Sequence, residues 1–177
     1  MRMRWSVAIF AVLVSLLLAG QALAWDEAKL KSQVQALLDQ AAAGFNNKDI
    51  KAVTATCAPQ AIIKYRDGRT MSMDQWSQAV DKDFADWQNV TGKFVVEKVW
   101  PKGKDKAGAV YSEFHQFTRL SDPGHKYAIA ARFRVLLTKT PQGWRFLEFT
   151  DLGTSLTRDG KPLRPKAAPK KAAKTQG

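Results

Sequence analysis

The stretch GWRFLEFTDLG, residues 143–153, decides the fold that the rest of the chain has to complete. It follows a Pro-Gln-Gly turn and alternates as a β-strand does. The alternation predicts two faces: Trp144, Phe146 and Glu148 on one, Arg145, Leu147 and Phe149 on the other. Both faces are largely apolar, which indicates a central strand covered on both sides. Glu148 stands out on an aromatic face, because a buried carboxylate needs a partner or a function.

Upstream of this strand the apolar pattern predicts three helices. Residues 26–45 repeat apolar side chains at the helical period. Asp49 is placed to cap a short second helix that runs through Cys57. Ser72 is placed to cap a third helix, 73–89, with an apolar face of Trp76, Val80, Phe84 and Trp87. Such an aromatic stripe is more typical of core packing than of a cofactor site.

The other β-rich segments are short and separated by turn residues. Strands are predicted at 61–65, 93–100, 107–119, 127–139 and 143–151. Turn chemistry lies between them in DG at 67–68, KGKDK at 102–106 and SDPGH at 121–125. The order of helices and strands predicts an α+β domain.

Residues 1–24 have the pattern of a secretory signal peptide. Arg2 and Arg4 form the basic end, residues 7–19 the apolar centre, and Ala22–Ala24 an A-x-A cleavage site. The apolar centre is shorter than the roughly 20 residues that span a bilayer. We therefore expect a periplasmic or secreted protein with no transmembrane segment in the mature chain; a retained N-terminal anchor is the alternative.

The charge is concentrated at the C-terminus. The chain carries +12 in all, of which residues 161–177 supply +6 and residues 25–157 only +4. Residues 158–177 are rich in Lys, Ala and Pro and predict a disordered tail after a domain at 25–157. The tail is either a solvated end or a tether for envelope polyanions. Because it lacks aromatic residues, specific recognition of nucleic acid is not expected.

No motif in the sequence identifies a reaction. Cys57 is the only cysteine and the chain has two histidines, so no zinc-type ligand spacing exists. No nucleophile elbow, P-loop or dinucleotide-binding glycine motif is present. We therefore predict neither a metal nor a cofactor.

The hairpin centred on Pro123-Gly124 predicts which side chains face inward. An even loop pairs Ser112 with Val135, Phe114 with Phe133 and Gln116 with Ala131 on an apolar inner face. Glu113 then meets Arg134, and His115 meets Arg132, on a charged outer face. In that register, Glu113 and His115 serve structure or an interface and not acid–base chemistry, although His titrates near neutrality.

The inner face then forms a mostly apolar concavity with a few polar groups, which is typical of a small-molecule pocket. Glu148 is the candidate general base, with a pKa raised by burial; alternatively it lies at the rim, solvated or bonded to a backbone donor or an arginine. The predicted ligand-binding set is Tyr65, Trp76, Phe84, Ser112, Phe114, Gln116, Phe133, Trp144, Phe146 and Glu148.

Three segments resemble the NTF2-like (SnoaL-like) superfamily: GFNNKDIKAV at 44–53, CAPQAIIKYRDGRTMSMDQW at 57–76 and GWRFLEFTDLGTSL at 143–156. The resemblance covers residues 26–156. It implies an NTF2-like cone, in which three N-terminal helices pack on a curved antiparallel sheet around a pocket. It also implies homodimers through the outer sheet face, where the register places Glu113, His115, Arg132 and Arg134.

The sequence departs from the ketosteroid-isomerase-like members of that superfamily. Their general base falls near Tyr65 and their oxyanion-hole tyrosine near Ala41. Tyrosine is a poor base at neutral pH, and alanine cannot donate a hydrogen bond. Gln60 stands where many members have an acidic residue. That chemistry is therefore not expected here.

Three functions remain open at this point. The first is an exported pocket domain that binds a small apolar or amphipathic ligand, or serves as an interaction module, without catalysis. The second is a lyase, isomerase or hydrolase with Glu148 as general base and Tyr65, Ser112 or Gln116 orienting the substrate. The third is an envelope assembly part with the outer sheet face as dimer interface and the tail as tether.

Overall fold

The computed structural model describes residues 26–163. Within these residues, three helices come first: α1 Glu27–Asn46, α2 Ile50–Thr54 and α3 Met73–Asp86. Seven strands follow or intervene: β1 Cys57–Lys64, β2 Thr70–Ser72, β3 Trp87–Pro101, β4 Lys106–Arg119, β5 Asp122–Thr140, β6 Gly143–Arg158 and β7 Lys161–Pro162. Within the described residues, no helix is long and apolar enough to span a membrane.

Polar side chains fix the start of each helix. Asp26 accepts a hydrogen bond from Lys29 N, and Asp49 accepts one from Ala52 N. Ser72 and Gln75 form a reciprocal capping box at the start of α3. The predicted caps at Asp49 and Ser72 are confirmed, although α2 ends three residues before Cys57.

The seven strands form one curved, open sheet in the order β2-β1-β6-β5-β4-β3, and β7 pairs with β6. The stretch at 143–153 lies in β6, which is central, as predicted. Five pairings are antiparallel, and β1 runs parallel to β6. The helices pack on the concave face, so that the core lies between them and the sheet. The α+β cone predicted from the sequence is confirmed.

The predicted register of the β4–β5 hairpin is wrong. Ser112 pairs with Arg132, Phe114 with Ala130 and Gln116 with Ala128. The chain turns at Leu120–Ser121, and the residues Pro123-Gly124-His125 form an irregularity in β5 where Thr118 pairs with Lys126 but Arg119 with Asp122. The predicted pairs are displaced by three residues. Since the side-chain period is two, an odd displacement exchanges the two faces of β4.

Two irregularities also change the alternation in β6. One separates the pairs Leu137–Phe146 and Leu136–Glu148, so that Leu147 is the extra residue. Phe146 and Phe149 therefore both face the helices, and Glu148 faces outward. A second irregularity at Leu152 brings Asp151 and Thr154 toward the inner side.

The signal peptide predicted at 1–24 lies outside the described residues, as does most of the predicted tail. Regular structure continues beyond residue 157, since β6 extends to Arg158 and β7 pairs with it. Residues 164–177 lie outside the described part of the chain.

Candidate functional site

A cavity of about 220 Å³ lies between the helices and the inner face of the sheet. Helix α1 lines it with Leu38, Ala41 and Phe45, and α3 with Met73 and Trp76. The exposed Thr154 marks the side on which it meets solvent. Aromatic side chains dominate its wall. An apolar cavity of about 150 Å³ holds benzene, so this cavity has the size for a single substituted ring.

One carboxyl group among the described residues, that of Glu113, faces this cavity. Glu113 of β4 is mostly buried, with its side chain 15% exposed. Burial raises its pKa from 4.5 to about 7, with a further increase from the like charge of Asp151. The Tyr111 hydroxyl opposes that shift by donating a hydrogen bond to Glu113 Oε2 over 3.4 Å. Near neutral pH Glu113 is therefore poised between its neutral and its charged form.

His115 lies two residues after Glu113 on the same face of β4 and is buried among aromatic rings. Its ring centroid is 4.6 Å from that of Phe45 and 5.0 Å from that of Phe94. Neither ring nitrogen has a hydrogen-bond partner among the described residues, and His115 Nε2 lies 3.8 Å from Glu113 Oε1. Burial lowers the pKa of His115 to about 4, so the imidazole is neutral at physiological pH.

The hydroxyl groups that line the cavity already donate their hydrogens to the protein. Thr56 Oγ1 donates to Val53 O over 2.7 Å, and the Tyr65 hydroxyl donates to Met71 Sδ over 3.7 Å. The remaining two donate to carboxylates: Tyr111 to Glu113, and Thr154 Oγ1 to Asp151 Oδ1 over 3.2 Å. The polar part of the cavity therefore offers lone pairs, and its hydroxyl donors are engaged.

Cys57 also lines the cavity, and its chemistry is that of a buried thiol. Burial raises its pKa to about 11, against a smaller opposing effect of the contact with Thr56 Oγ1 at 3.8 Å. The thiolate is the nucleophilic form of cysteine, so this thiol is unreactive at neutral pH. Within residues 26–163, no cluster of His, Cys, Asp and Glu side chains could hold a metal ion.

Four residues of the predicted ligand-binding set line the cavity: Tyr65, Trp76, Phe133 and Phe146. Phe84 lies nearby but is buried in the core against Phe45 and Trp87. Trp144 lies farther along β6, where its indole N–H donates to Gln33 of α1. The aromatic character of the cavity wall was thus predicted. Phe84 and Trp144, however, contribute to the packing of the helices on the sheet and not to the cavity wall.

Ser112, Phe114 and Gln116 lie on the outer face of the sheet, because the displaced register turns them away from the helices. Ser112 and Arg132 both contact the carboxylate of Glu97 on β3, with Arg132 Nη2 at 2.6 Å. Phe114 is 45% exposed. These side chains therefore form part of the outer surface and not of the cavity.

Glu148 also lies outside the cavity. It forms a salt bridge of 2.8 Å with Lys64 on the neighbouring strand β1. Both side chains are partly exposed. This position agrees with the alternative that Glu148 lies at the rim, except that its partner is a lysine and not an arginine or a backbone donor. This position does not fit the role of general base in the cavity that was predicted as a candidate for Glu148.

Of the predicted outer-face set, Arg132 and Arg134 are exposed as expected, whereas Glu113 and His115 lie on the inner side. Sequence reasoning therefore missed Glu113, Tyr111 and Phe149 as cavity residues. For Tyr111 and Glu113 the signal that could have found them is the run VYSEFHQF at 110–117, in which Tyr111, Glu113, His115 and Phe117 alternate and so share one face.

The chain belongs to the SnoaL-like domain family, which it matches over residues 26–150. The resemblance to the NTF2-like superfamily drawn from three short segments is confirmed. No curated protein matches the sequence.

Solved structures share the fold at low sequence identity. A proposed aromatic ring hydroxylase from Novosphingobium aromaticivorans has a TM-score of 0.63 and 16% identity, over 75% of this chain and 96% of that protein. A ketosteroid isomerase-like protein from Erwinia carotovora atroseptica has a TM-score of 0.55 and 18% identity, over 76% of this chain and 97% of that protein. A hexachlorocyclohexane dehydrochlorinase has a TM-score of 0.59 and 10% identity, over 79% of this chain and 96% of that protein. At these identities the similarity establishes the fold alone.

Proposed function

We propose that this protein binds a small, largely apolar molecule of about one ring in the cavity between α1, α3 and the inner face of the sheet. The observation that carries the proposal is a cavity of about 220 Å³ with an aromatic wall and a single carboxyl group, Glu113. A preformed apolar pocket with few polar groups is the usual composition of a ligand site. The polar groups then fix the orientation of the ligand.

Binding can be tested with single-ring compounds of differing polarity. The panel consists of toluene, phenol, benzyl alcohol and benzylamine, measured by ligand-observed NMR on the protein spanning residues 25–177. Thr154→Phe introduces a ring at the mouth of the cavity and is expected to weaken every member that binds by at least tenfold. The matched control is Ser155→Phe, since Ser155 pairs with Ala130 on the outer face. Failure of the whole panel to bind, or equal loss in both variants, would contradict the proposal.

A second candidate function is proton-transfer catalysis in the same cavity. The observation that favours it is Glu113, a carboxyl with a pKa of about 7 in an apolar site, which is the condition for a general base or acid near neutral pH. The dehydrochlorinase with the same fold shows, for that protein, that the fold supports elimination chemistry. In this candidate function, Glu113 and not Glu148 is the general base.

Base-catalysed ring opening of 5-nitrobenzisoxazole tests this candidate, because that reaction requires only a base in an apolar site. Catalysis by Glu113 predicts a rate that rises as pH increases through about 7. Glu113→Gln should remove that rise, whereas Glu148→Gln, on the outer face, should keep it. Identical rates for wild type and Glu113→Gln would exclude catalysis by this group on this substrate.

Export of the chain and attachment through its basic tail stay predictions of the sequence. We propose that residues 1–24 direct secretion and that residues 158–177 contact polyanions of the envelope through charge alone. Cell fractionation checks secretion. If the tail contacts polyanions, binding to vesicles containing anionic lipid should weaken sharply with added salt and should be lost when residues 164–177 are removed.

A further inference from the structure

The charge of the cavity wall limits what the ligand can be. Among the described residues that line the cavity there is no lysine, arginine or histidine, and Glu113 is the one carboxyl. An anionic ligand would be buried there without a countercharge, which is costly. A ligand with a positive charge would instead find its counterion already in place.

The hydrogen bonds of the lining groups point the same way. All four hydroxyls that face the cavity donate to protein acceptors, so their hydrogens are not free for a ligand. Acceptor lone pairs remain on these hydroxyls and on the carboxyl of Glu113. A ligand that matches them must itself donate hydrogen bonds.

The aromatic wall adds a third match to a cation. Phe133 stacks on Tyr111 at a centroid distance of 5.6 Å, and Phe149 meets Phe133 and Phe146 at 6.4 Å and 5.3 Å. All of these rings line the cavity that Glu113 faces. Ring faces attract an ammonium group, and more strongly where water is excluded.

From these three observations we infer that the ligand is a small organic cation, a protonated amine carried on a single ring, with its ammonium group against Glu113. The inference rests on the proposed binding function and names the chemical class of the ligand. Burial of an ion pair is costly when both charges must be desolvated. Here Glu113 is already desolvated by the fold, so the ammonium group restores an interaction that the carboxylate lost on folding.

The groups around Glu113 stay constant over the pH range in which it titrates. On its own strand, Tyr111 has a pKa raised by burial and His115 is neutral. Cys57 of β1 and Tyr65 also have pKa values raised by burial and stay protonated, while Asp151 of β6 contributes a like charge. Helices α1 and α3 and strands β3 and β5 contribute only apolar side chains to the cavity wall. A change in affinity through pH 7 therefore reports Glu113.

The test compares benzylamine with benzyl alcohol, which has nearly the same shape but no charge, by calorimetric titration between pH 5.5 and 8. Benzylamine keeps its proton throughout, as aliphatic amines do. Its affinity should rise roughly 30-fold over this range as Glu113 ionises, since the pKa of Glu113 is about 7. Benzyl alcohol should bind more weakly at pH 8, with no such rise.

The variant Glu113→Gln keeps the shape of the side chain and should remove the pH dependence for benzylamine, whereas Glu148→Gln should retain it. The pH series on the unaltered protein decides the same question if the Glu113 variant fails to fold. Tighter binding of benzyl alcohol, or benzylamine affinity that does not change with pH, would overturn the inference and leave the proposed binding function standing. Absence of binding by both compounds and by the rest of the panel would overturn both.

Discussion

Glu113 shows how much a single position in a strand determines. Its neighbour Ser112 is held at the surface by Glu97, while Glu113 faces the aromatic interior one residue later. The same side chain at the surface, Glu148, pairs with Lys64 and has no role in the cavity. The chemistry of the site therefore depends on which face each carboxylate occupies, and not on the presence of a carboxylate in the strand.

The burial of Glu113 predicts a pH-dependent stability. Its pKa is 4.5 in the unfolded chain and about 7 in the folded protein, so the folded state holds the proton more tightly and is weakened as pH rises from 4.5 to 7. Glu113→Gln should therefore be more stable than wild type at pH 8, by up to about 3 kcal/mol. The gain should vanish at pH 4.5.

Urea unfolding at pH 4.5, 6, 7 and 8 measures this difference. Glu148→Gln is the control, because Glu148 is partly exposed and its pair with Lys64 should contribute at most about 1 kcal/mol. A gain in Glu113→Gln that is the same at every pH would show that packing, not charge, separates the variant from wild type.

At the scale of elements, helix α3 depends on the capping box formed by Ser72 and Gln75. Ser72 Oγ accepts from Gln75 N over 3.2 Å, and Gln75 Oε1 accepts from Ser72 N over 3.1 Å. Ser72→Ala should reduce the free energy of unfolding by about 1 kcal/mol, because the first turn loses its acceptor. Ser77→Ala, in the second turn of the same helix, removes only a hydrogen bond to Asp74 O and should change the free energy of unfolding by less than about 0.5 kcal/mol. Equal losses in the two variants, measured by urea unfolding, would contradict a specific role of the cap.

The elements could be predicted from the sequence because their signals are local. Caps, helical periodicity and turn residues identified three helices, the main strands and their order. The hairpin turn did not predict the face of β4, because the turn that sets this face is held from elsewhere in the chain. Asp86, at the end of α3, accepts hydrogen bonds from Ser121 N and from Arg119 Nε, and its carbonyl accepts one from Leu120 N. These hydrogen bonds join residues that are more than thirty positions apart in the sequence, and they fix the turn at Leu120–Ser121. The Pro123-Gly124 pair had predicted the turn at a different place.

The inward position of Phe149 was missed for a related reason. The extra residue Leu147 occurs in a stretch of regular apolar alternation, and no glycine or proline marks the irregularity. The resemblance to the superfamily supplied the cone and the cavity, but not the side chains within it. Those depend on the register of neighbouring strands, which single-strand patterns do not contain.

At the scale of the whole molecule, the outer sheet face remains the predicted dimer interface. Val95 and Phe114 are 43% and 45% exposed there, beside the ion pair of Glu97 and Arg132. Exposed apolar side chains on a sheet face are typical of a contact surface. We predict that the protein is a dimer and that Phe114→Glu makes it a monomer, because two buried carboxylates would repel across a symmetric interface.

Light scattering coupled to gel filtration measures the mass of each variant. Leu120→Glu is the matched control, since Leu120 is 58% exposed at the tip of the β4–β5 turn and lies off the sheet face. A monomeric wild type would refute the prediction, as would a Phe114→Glu variant that remains dimeric.

The burial of both Glu113 and His115 has one more consequence, because it shifts their pKa values in opposite directions. Between pH 4.5 and 6.5 the unfolded chain carries an imidazolium and a carboxylate, whereas the folded protein holds a neutral imidazole and a neutral carboxylic acid. Folding therefore transfers one proton from the ring to the carboxyl and takes up none from water. The opposite slopes of the two groups cancel over that range. A free energy of unfolding that does not change with pH would then be the sum of two large and opposite contributions. Substituting either side chain alone would make the pH dependence of the other measurable.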